Sequence, residues 1–187
     1  MWLLAVLVVV LGVAACGGDE DGEPPAAGPS APGYTFAQSG VADGEPIESR
    51  YTCDGEDVSP ALAWEGVPEE TAELALVVED PDAPGGTFTH WVAYGLDPGE
   101  TELPEGVPEG GEVDGPPALR QGSNDFGTVG YGGPCPPGGE THDYVFRLLA
   151  LDAETGLEGG ASRDELLAAA EGHVLAEAQL TAPYSRP

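Results

Sequence analysis

The apolar stretches between Tyr34 and Pro187 are short and punctuated by glycine- and proline-rich segments, the 187 residues holding 29 glycines and 19 prolines. Proline cannot donate to a ladder or sit inside a helix, and glycine weakens both, so such a chain must fold as many short extended segments joined by turns. Leu74 to Val78 (LALVV) is wholly apolar and ends in Glu79 and the turn residues DPDAPGG, which predicts a buried strand feeding a loop. Thr87 to Tyr94 alternates, which places Phe88, His90, Val92 and Tyr94 on one face and Thr87, Thr89, Trp91 and Ala93 on the other. Asp143 to Leu151 predicts a third strand with Tyr144, Phe146 and Leu148 on one face and His142 in the same phase. Gly95 to Pro137 is dominated by Gly, Pro and acidic residues and predicts a long irregular region. Ser162 and Glu165 form a capping-box pattern, and Leu166, Leu167, Ala170 and Val174 follow at helical spacing, predicting a helix over 162–178 weakened at Gly172. The fold class is therefore mainly β, an antiparallel β-sandwich with a C-terminal α-helix and long Gly/Pro-rich loops.

The N-terminal part has a different character. Residues 1–15 carry no charge, and Leu3 to Val13 is apolar apart from Gly12, which is shorter than the roughly 20 residues a membrane span needs. The segment reads as a secretory signal peptide whose small residues Ala14 and Ala15 lead into Cys16. It resembles the lipid-attachment site of bacterial lipoproteins, with Cys16 as the acylated residue, although no Lys or Arg precedes the apolar run. Residues 16–33 then form an acidic Gly/Pro linker with no large apolar side chain, able to reach on the order of 50 Å at about 3.3 Å per residue. The expected arrangement is one domain, 34–187, held outside the cytoplasm and anchored to the cell membrane by lipid on Cys16.

Thirty-four acidic residues face five arginines and no lysine, for a formal net charge of -29. That field opposes nucleic acid and anionic membrane surfaces. With Cys16 lipidated, Cys53 and Cys135 remain as an even pair that either forms a disulfide or occupies two neighbouring loops as free thiols. No spacing of the CxxC kind indicates a metal site, and no cofactor motif is present.

Four segments in order, TCDGEDVSPALAW (Thr52 to Trp64), DPDAPGGTFTHW (Asp80 to Trp91), NDFGTVGYGGPCPPGGETHDYVFRLLALD (Asn124 to Asp152) and EGHVLAEAQL (Glu171 to Leu180), resemble the phosphatidylethanolamine-binding protein family, particularly its bacterial YbhB/YbcL type. The resemblance implies a two-sheet Greek-key sandwich with a small surface pocket for phosphate, acetate or a phospholipid head group. It places the pocket on Asp80, Asp82, His90, Gly133, Pro134, His142 and Tyr144. His142 and Tyr144, two apart in a strand, leave the same face and can each donate to an oxyanion. Gly133 would let backbone approach the ligand. Asp80 and Asp82, of the wrong sign for anion contact, are expected to hold the His90 tautomer and favour its protonated form. The family commonly has HRY where this chain has His142, Asp143 and Tyr144, and a glycine in place of the Ala182 and Pro183 pair.

Trp64 and Trp91 are expected in the core, and His173 to pack or hydrogen-bond locally. Neither a GxSxG elbow nor an HExxH helix is present, so the chain is expected to bind rather than to catalyse. The competing function is contact inhibition of an extracytoplasmic protease or other signalling partner through the acidic loop Asp97 to Pro117.

Overall fold

The computed structural model describes residues 28–37 and 39–186. The signal segment, Cys16 and most of the linker lie outside them.

Among the described residues nine strands and one α-helix follow the order β1 (Thr35–Phe36), β2 (Leu62–Glu65), β3 (Glu73–Asp80), β4 (Phe88–Leu96), β5 (Glu102–Leu103), β6 (Glu112–Val113), β7 (Leu119–Gln121), β8 (Thr141–Leu151), α1 (Arg163–Ala170) and β9 (Val174–Ser185), with a single 3-10 turn at Ser49–Tyr51. They form a three-stranded sheet, β1-β2-β5, and a six-stranded sheet, β6-β7-β4-β3-β8-β9, with antiparallel pairing throughout. The long irregular region expected over 95–137 thus contains three short strands. Its acidic loop is not a free appendage: Leu103 and Val107 enter the core, and Glu105 accepts from both Arg50 and Tyr51.

β3 explains why LALVV shows no alternation. Leu74, Leu76 and Val78 join the core between the sheets with Trp64, Trp91 and Phe146, while Ala75 and Val77 meet Leu149, Leu166 and Ala170 beneath the helix. A strand covered on both faces needs apolar side chains in both phases. β3 lies between β4 and β8, and all eight of its residues are buried.

The predicted helix is half right. Ser162 accepts from the Glu165 amide and the Glu165 side chain answers the Ser162 amide, so the capping box is present and α1 begins as expected. The helix ends at Ala170, and Gly172 turns the chain at φ +81. Residues 174–178, expected to be helical, instead open β9, whose Ala176, Ala178, Leu180, Ala182 and Tyr184 point into the core. Ala182 and Pro183 are part of this strand, and Pro183 gives its carbonyl to the Ile47 amide. Edge position makes the missing proline donor tolerable. His173 falls in the turn before β9 and pairs with exposed Asp152 at 2.7 Å.

Glu79, 1% exposed, lies on the helix side of β3 and is shared by Arg147 and Arg163. Arg147 also holds Glu177 of β9 through Nε at 2.9 Å and Nη2 at 3.0 Å. Removing one member of such a buried set strands the others in low dielectric. Glu79→Ala is expected to cost about 3–5 kcal/mol in urea unfolding, comparable with the roughly 2–5 kcal/mol of a core truncation such as Leu76→Ala; a loss under 1 kcal/mol would contradict the shared-carboxylate role.

Candidate functional site

A hollow of about 310 Å³ opens at the end of the six-stranded sheet where β3 finishes and β4 and β8 begin. Asp80, His90, His142 and Arg186 supply its polar lining. Phe88, Phe126, Pro84, Pro136 and Pro137 supply most of its apolar wall.

His90 reaches the hollow through an irregularity in the ladder. Val78 pairs with Trp91 and Glu79 with Thr89, which leaves His90 without a partner on β3. An extra residue of this kind bends a strand and re-aims its side chain. Phe88 and His90 therefore face the hollow, whereas Val92 and Tyr94 pack under the helix, so the single face expected for all four is split. His142 and Tyr144 arrive from β8 in the same phase as Phe146, as their spacing requires.

The carboxylates serve a different histidine from the one expected. Asp80 Oδ2 lies 2.7 Å from His142 Nδ1, with both side chains 5% exposed. Glu140 Oε2 lies 3.3 Å from His142 Nε2. Burial pulls the His142 pKa down, but the bonds to Asp80 and Glu140, helped by the charges of Asp80 and Asp82, leave it above the ordinary histidine value. His90 instead donates from Nδ1 to the Gly132 carbonyl at 2.7 Å, because a carbonyl can only accept. Its Nε2 is then the acceptor of a neutral ring. Burial lowers the His90 pKa, and the Gly132 bond and the Asp80 charge offset this only in part. The cause is geometric: Asp80 closes β3 beside β8, and the displaced ring of His90 meets the Gly132 backbone.

Asp82 does not line the hollow. Its amide donates to Asp80 at 2.9 Å and its carboxylate accepts from the Asp143 amide at 2.8 Å, which ties the DPDAP turn to β8. Asp143 itself is exposed. Gly133 and Pro134 also stand behind the wall and not in it. A Cβ on Gly133 would clash with the Tyr51 carbonyl and with Asp57, so loop-to-loop packing requires glycine here. The Gly133 amide donates to Asp57 at 2.7 Å, Pro134 accepts from the Cys53 amide, and Cys53 and Cys135 are joined by a disulfide. Cys135 itself touches the hollow.

Tyr144 is fully buried with its ring edge-on to His90 at 5.1 Å between centroids. Among the described residues its hydroxyl makes no well-formed hydrogen bond, although Asp80 and the Cys135 backbone lie close by, and burial together with the Asp80 charge raises its pKa far above that of a free phenol. Phe126, 47% exposed, is placed at the mouth by Asn124, whose Oδ1 accepts from the amides of Phe126 and Thr128. Sequence reasoning missed Phe126 and Arg186 as site residues. Nothing in their spacing relates them to the histidines; Arg186 enters because β9, expected to be helical at its start, pairs with β8 along its whole length. Among the described residues no group of three His, Cys, Asp or Glu side chains has the geometry to hold a metal ion.

The profile of the phosphatidylethanolamine-binding protein family matches residues 37–185. The chain belongs to this family. A UPF0098 protein of Methanothermobacter thermautotrophicus is 54% identical over 140 residues, covering 75% of this chain and 91% of the relative. LppC of Mycobacterium tuberculosis, which its name describes as a candidate lipoprotein, is 38% identical over 172 residues, or 85% of this chain and 81% of that protein. The crystal structure of Escherichia coli YbcL, described as a member of the mammalian PEBP family, superposes with a TM-score of 0.74 at 31% identity and covers 83% of this chain and 99% of YbcL. The antiparallel two-sheet fold expected from the sequence is that of the family.

The two buried histidines couple stability to pH with opposite signs. His142, raised in the fold, contributes stability that is complete below the unfolded value of about 6.5 and is lost as pH rises through its folded value. His90, lowered, contributes stability that is complete above about 6.5 and is lost as pH falls through its folded value. Denaturant unfolding from pH 5 to 8 is expected to show that His142→Gln flattens the alkaline limb and His90→Gln the acid limb; effects on the same limb would contradict these assignments.

Proposed function

We propose that this member of the family is a binding protein whose hollow accepts a small oxyanion, free or as a phospholipid head group, without covalent chemistry. The observation that carries the reading is the Tyr144 hydroxyl, buried against His90 just behind the lining of the hollow and, among the described residues, without a hydrogen-bond partner. A buried donor left unmade costs about 1–3 kcal/mol, which a ligand oxygen would recover. Two further groups support it. Glu140 is 57% exposed and can swing away from His142 Nε2, presenting a charged donor to the ligand. His90 Nε2 gains a proton if an anion arrives beside it.

The cavity is not simply cationic. Asp80, Asp82, Glu140 and Asp54 all lie in or around it. A zwitterionic head group, with an ammonium to answer these carboxylates, suffers less from this field than a free dianion. The apolar wall of Phe88, Phe126 and the prolines suits the carbon atoms next to such a head group. The lipoprotein-like Cys16 segment and the likeness to LppC support anchoring outside the cytoplasm, where phospholipid is the nearest source of the group.

Tyr144→Phe separates the hydroxyl from the ring. Without ligand the variant is expected to be as stable as the parent or up to about 1 kcal/mol more so, because the lost group has no partner. Thermal shifts produced by phosphate, phosphoethanolamine and a lysophospholipid should shrink, with affinity falling about tenfold. Unchanged affinity for all three would refute the role of Tyr144. Sulfate, which does not titrate between pH 5 and 8, provides the pH test: its affinity is expected to rise as pH falls, first through the raised pKa of His142 and again below the ordinary histidine value of about 6.5, because burial lowers His90. A flat profile would exclude proton uptake by His90.

A further inference from the structure

Arg186 is the one arginine at the hollow, and its surroundings leave it half used. Its backbone is fixed on both sides, with its amide donating to Glu140 at 3.3 Å and its carbonyl accepting from Gly139 at 3.1 Å. Its Nε donates to Asp54 Oδ1 at 3.1 Å, and Asp54 Oδ2 accepts from the Tyr184 hydroxyl at 2.9 Å. Among the described residues, neither terminal guanidinium nitrogen has a hydrogen-bond partner. The side chain is 39% exposed and lines the cavity with His90 and His142.

The two histidines must change partner or protonation before they can offer a positive contact. Both nitrogens of His142 face carboxylates, and the neutral ring of His90 offers an acceptor. Position 143, beside His142, holds an aspartate whose side chain is exposed and whose amide is taken by Asp82. A guanidinium presents its donors as a planar fork that matches two oxygens of one oxyanion, and it keeps its charge at every physiological pH.

We infer that Arg186 is the residue through which this cavity recognises the phosphoryl or sulfate-like group of its ligand, an assignment that rests on the anion-binding reading above. Asp54 holds the guanidinium plane and at the same time opposes an incoming anion. Asp54 follows Cys53 directly, so the disulfide to Cys135 fixes both this acid and the cavity wall.

The two members of the ion pair should then act in opposite directions. Calorimetric titration of the folded domain with inorganic phosphate, sulfate and a monomeric lysophospholipid is expected to show about a tenfold or greater loss of affinity in Arg186→Gln. Arg186→Lys should recover part of it. Asp54→Asn is expected to tighten binding about threefold in the parent and by less in the Arg186→Gln background, with coupling between the two substitutions. The preference for sulfate over acetate should fall in Arg186→Gln, a change that mere loosening of the strand end would not produce. Equal losses for phosphate and lysophospholipid assign the contact to the shared phosphoryl group; a loss for the lysophospholipid alone places the head group, and not free phosphate, at Arg186. Parent-like affinity of Arg186→Gln for all ligands would overturn the role of Arg186 while leaving the cavity reading intact. Failure of the parent to bind any of them would overturn both.

Discussion

The buried contact between Asp80 and His142 joins the last residue of one long strand to the second residue of its neighbour, 2.7 Å apart and almost free of solvent. It exists only because β3 and β8 pair in one register, with Val78 opposite Phe146 and Glu79 opposite Val145. A slip of one residue would send Asp80 to the helix side and Glu79 to the hollow. Register is secured in turn by burial on both faces, since every residue of β3 would land in the wrong environment after such a slip. The Asp80–His142 pair therefore inherits its geometry from the core, and the surrounding loops supply the rest of the wall.

The same register sorts the charges. On the core side of the sheet, Asp80 and His142 meet at the cavity; on the helix side, Glu79, Arg147, Glu177 and Arg163 share one buried cluster. In a chain of formal net charge -29, four of the five arginines are paired with carboxylates among the described residues. Arginine suits this use because its fork can hold two acids at once without losing charge on burial. What remains on the surface is mostly negative. Long-range attraction therefore cannot draw an anion to the cavity, and recognition must come from contacts within a Debye length of roughly 8 Å.

The cavity combines rigid and adjustable parts. The loop carrying Gly133 is fastened to residues 51–57 by the Gly133 amide, the Pro134 carbonyl, the Tyr131 hydroxyl and the disulfide. Glu140 and Phe126, both largely exposed, sit at the opening. Such a division keeps the ordering cost of binding low, because few side chains must be immobilised when a ligand enters.

Much of this molecule follows from local pattern. Alternation, apolar runs and Gly/Pro punctuation are properties of neighbouring residues, so β3, β4, β8 and the helix start at Ser162 could be read directly, and the family resemblance brought His90, His142 and Tyr144 to one place. Three matters could not be read. Alanine at 176, 178 and 182 suits either a helix or a strand, and only the vacant edge of β8 selects the strand. The irregularity at His90 depends on its partner strand, so the alternation of β4 could not reveal that Phe88 and Val92 part company. Which carboxylate serves which histidine is a matter of a few ångströms between strands far apart in the chain. The residues alone decide what each segment can become, because propensity and periodicity act within a few positions; the pairing of segments decides Asp80 for His142, Gly132 for His90 and Arg186 for the cavity mouth, because hydrogen bonds and charge act across space.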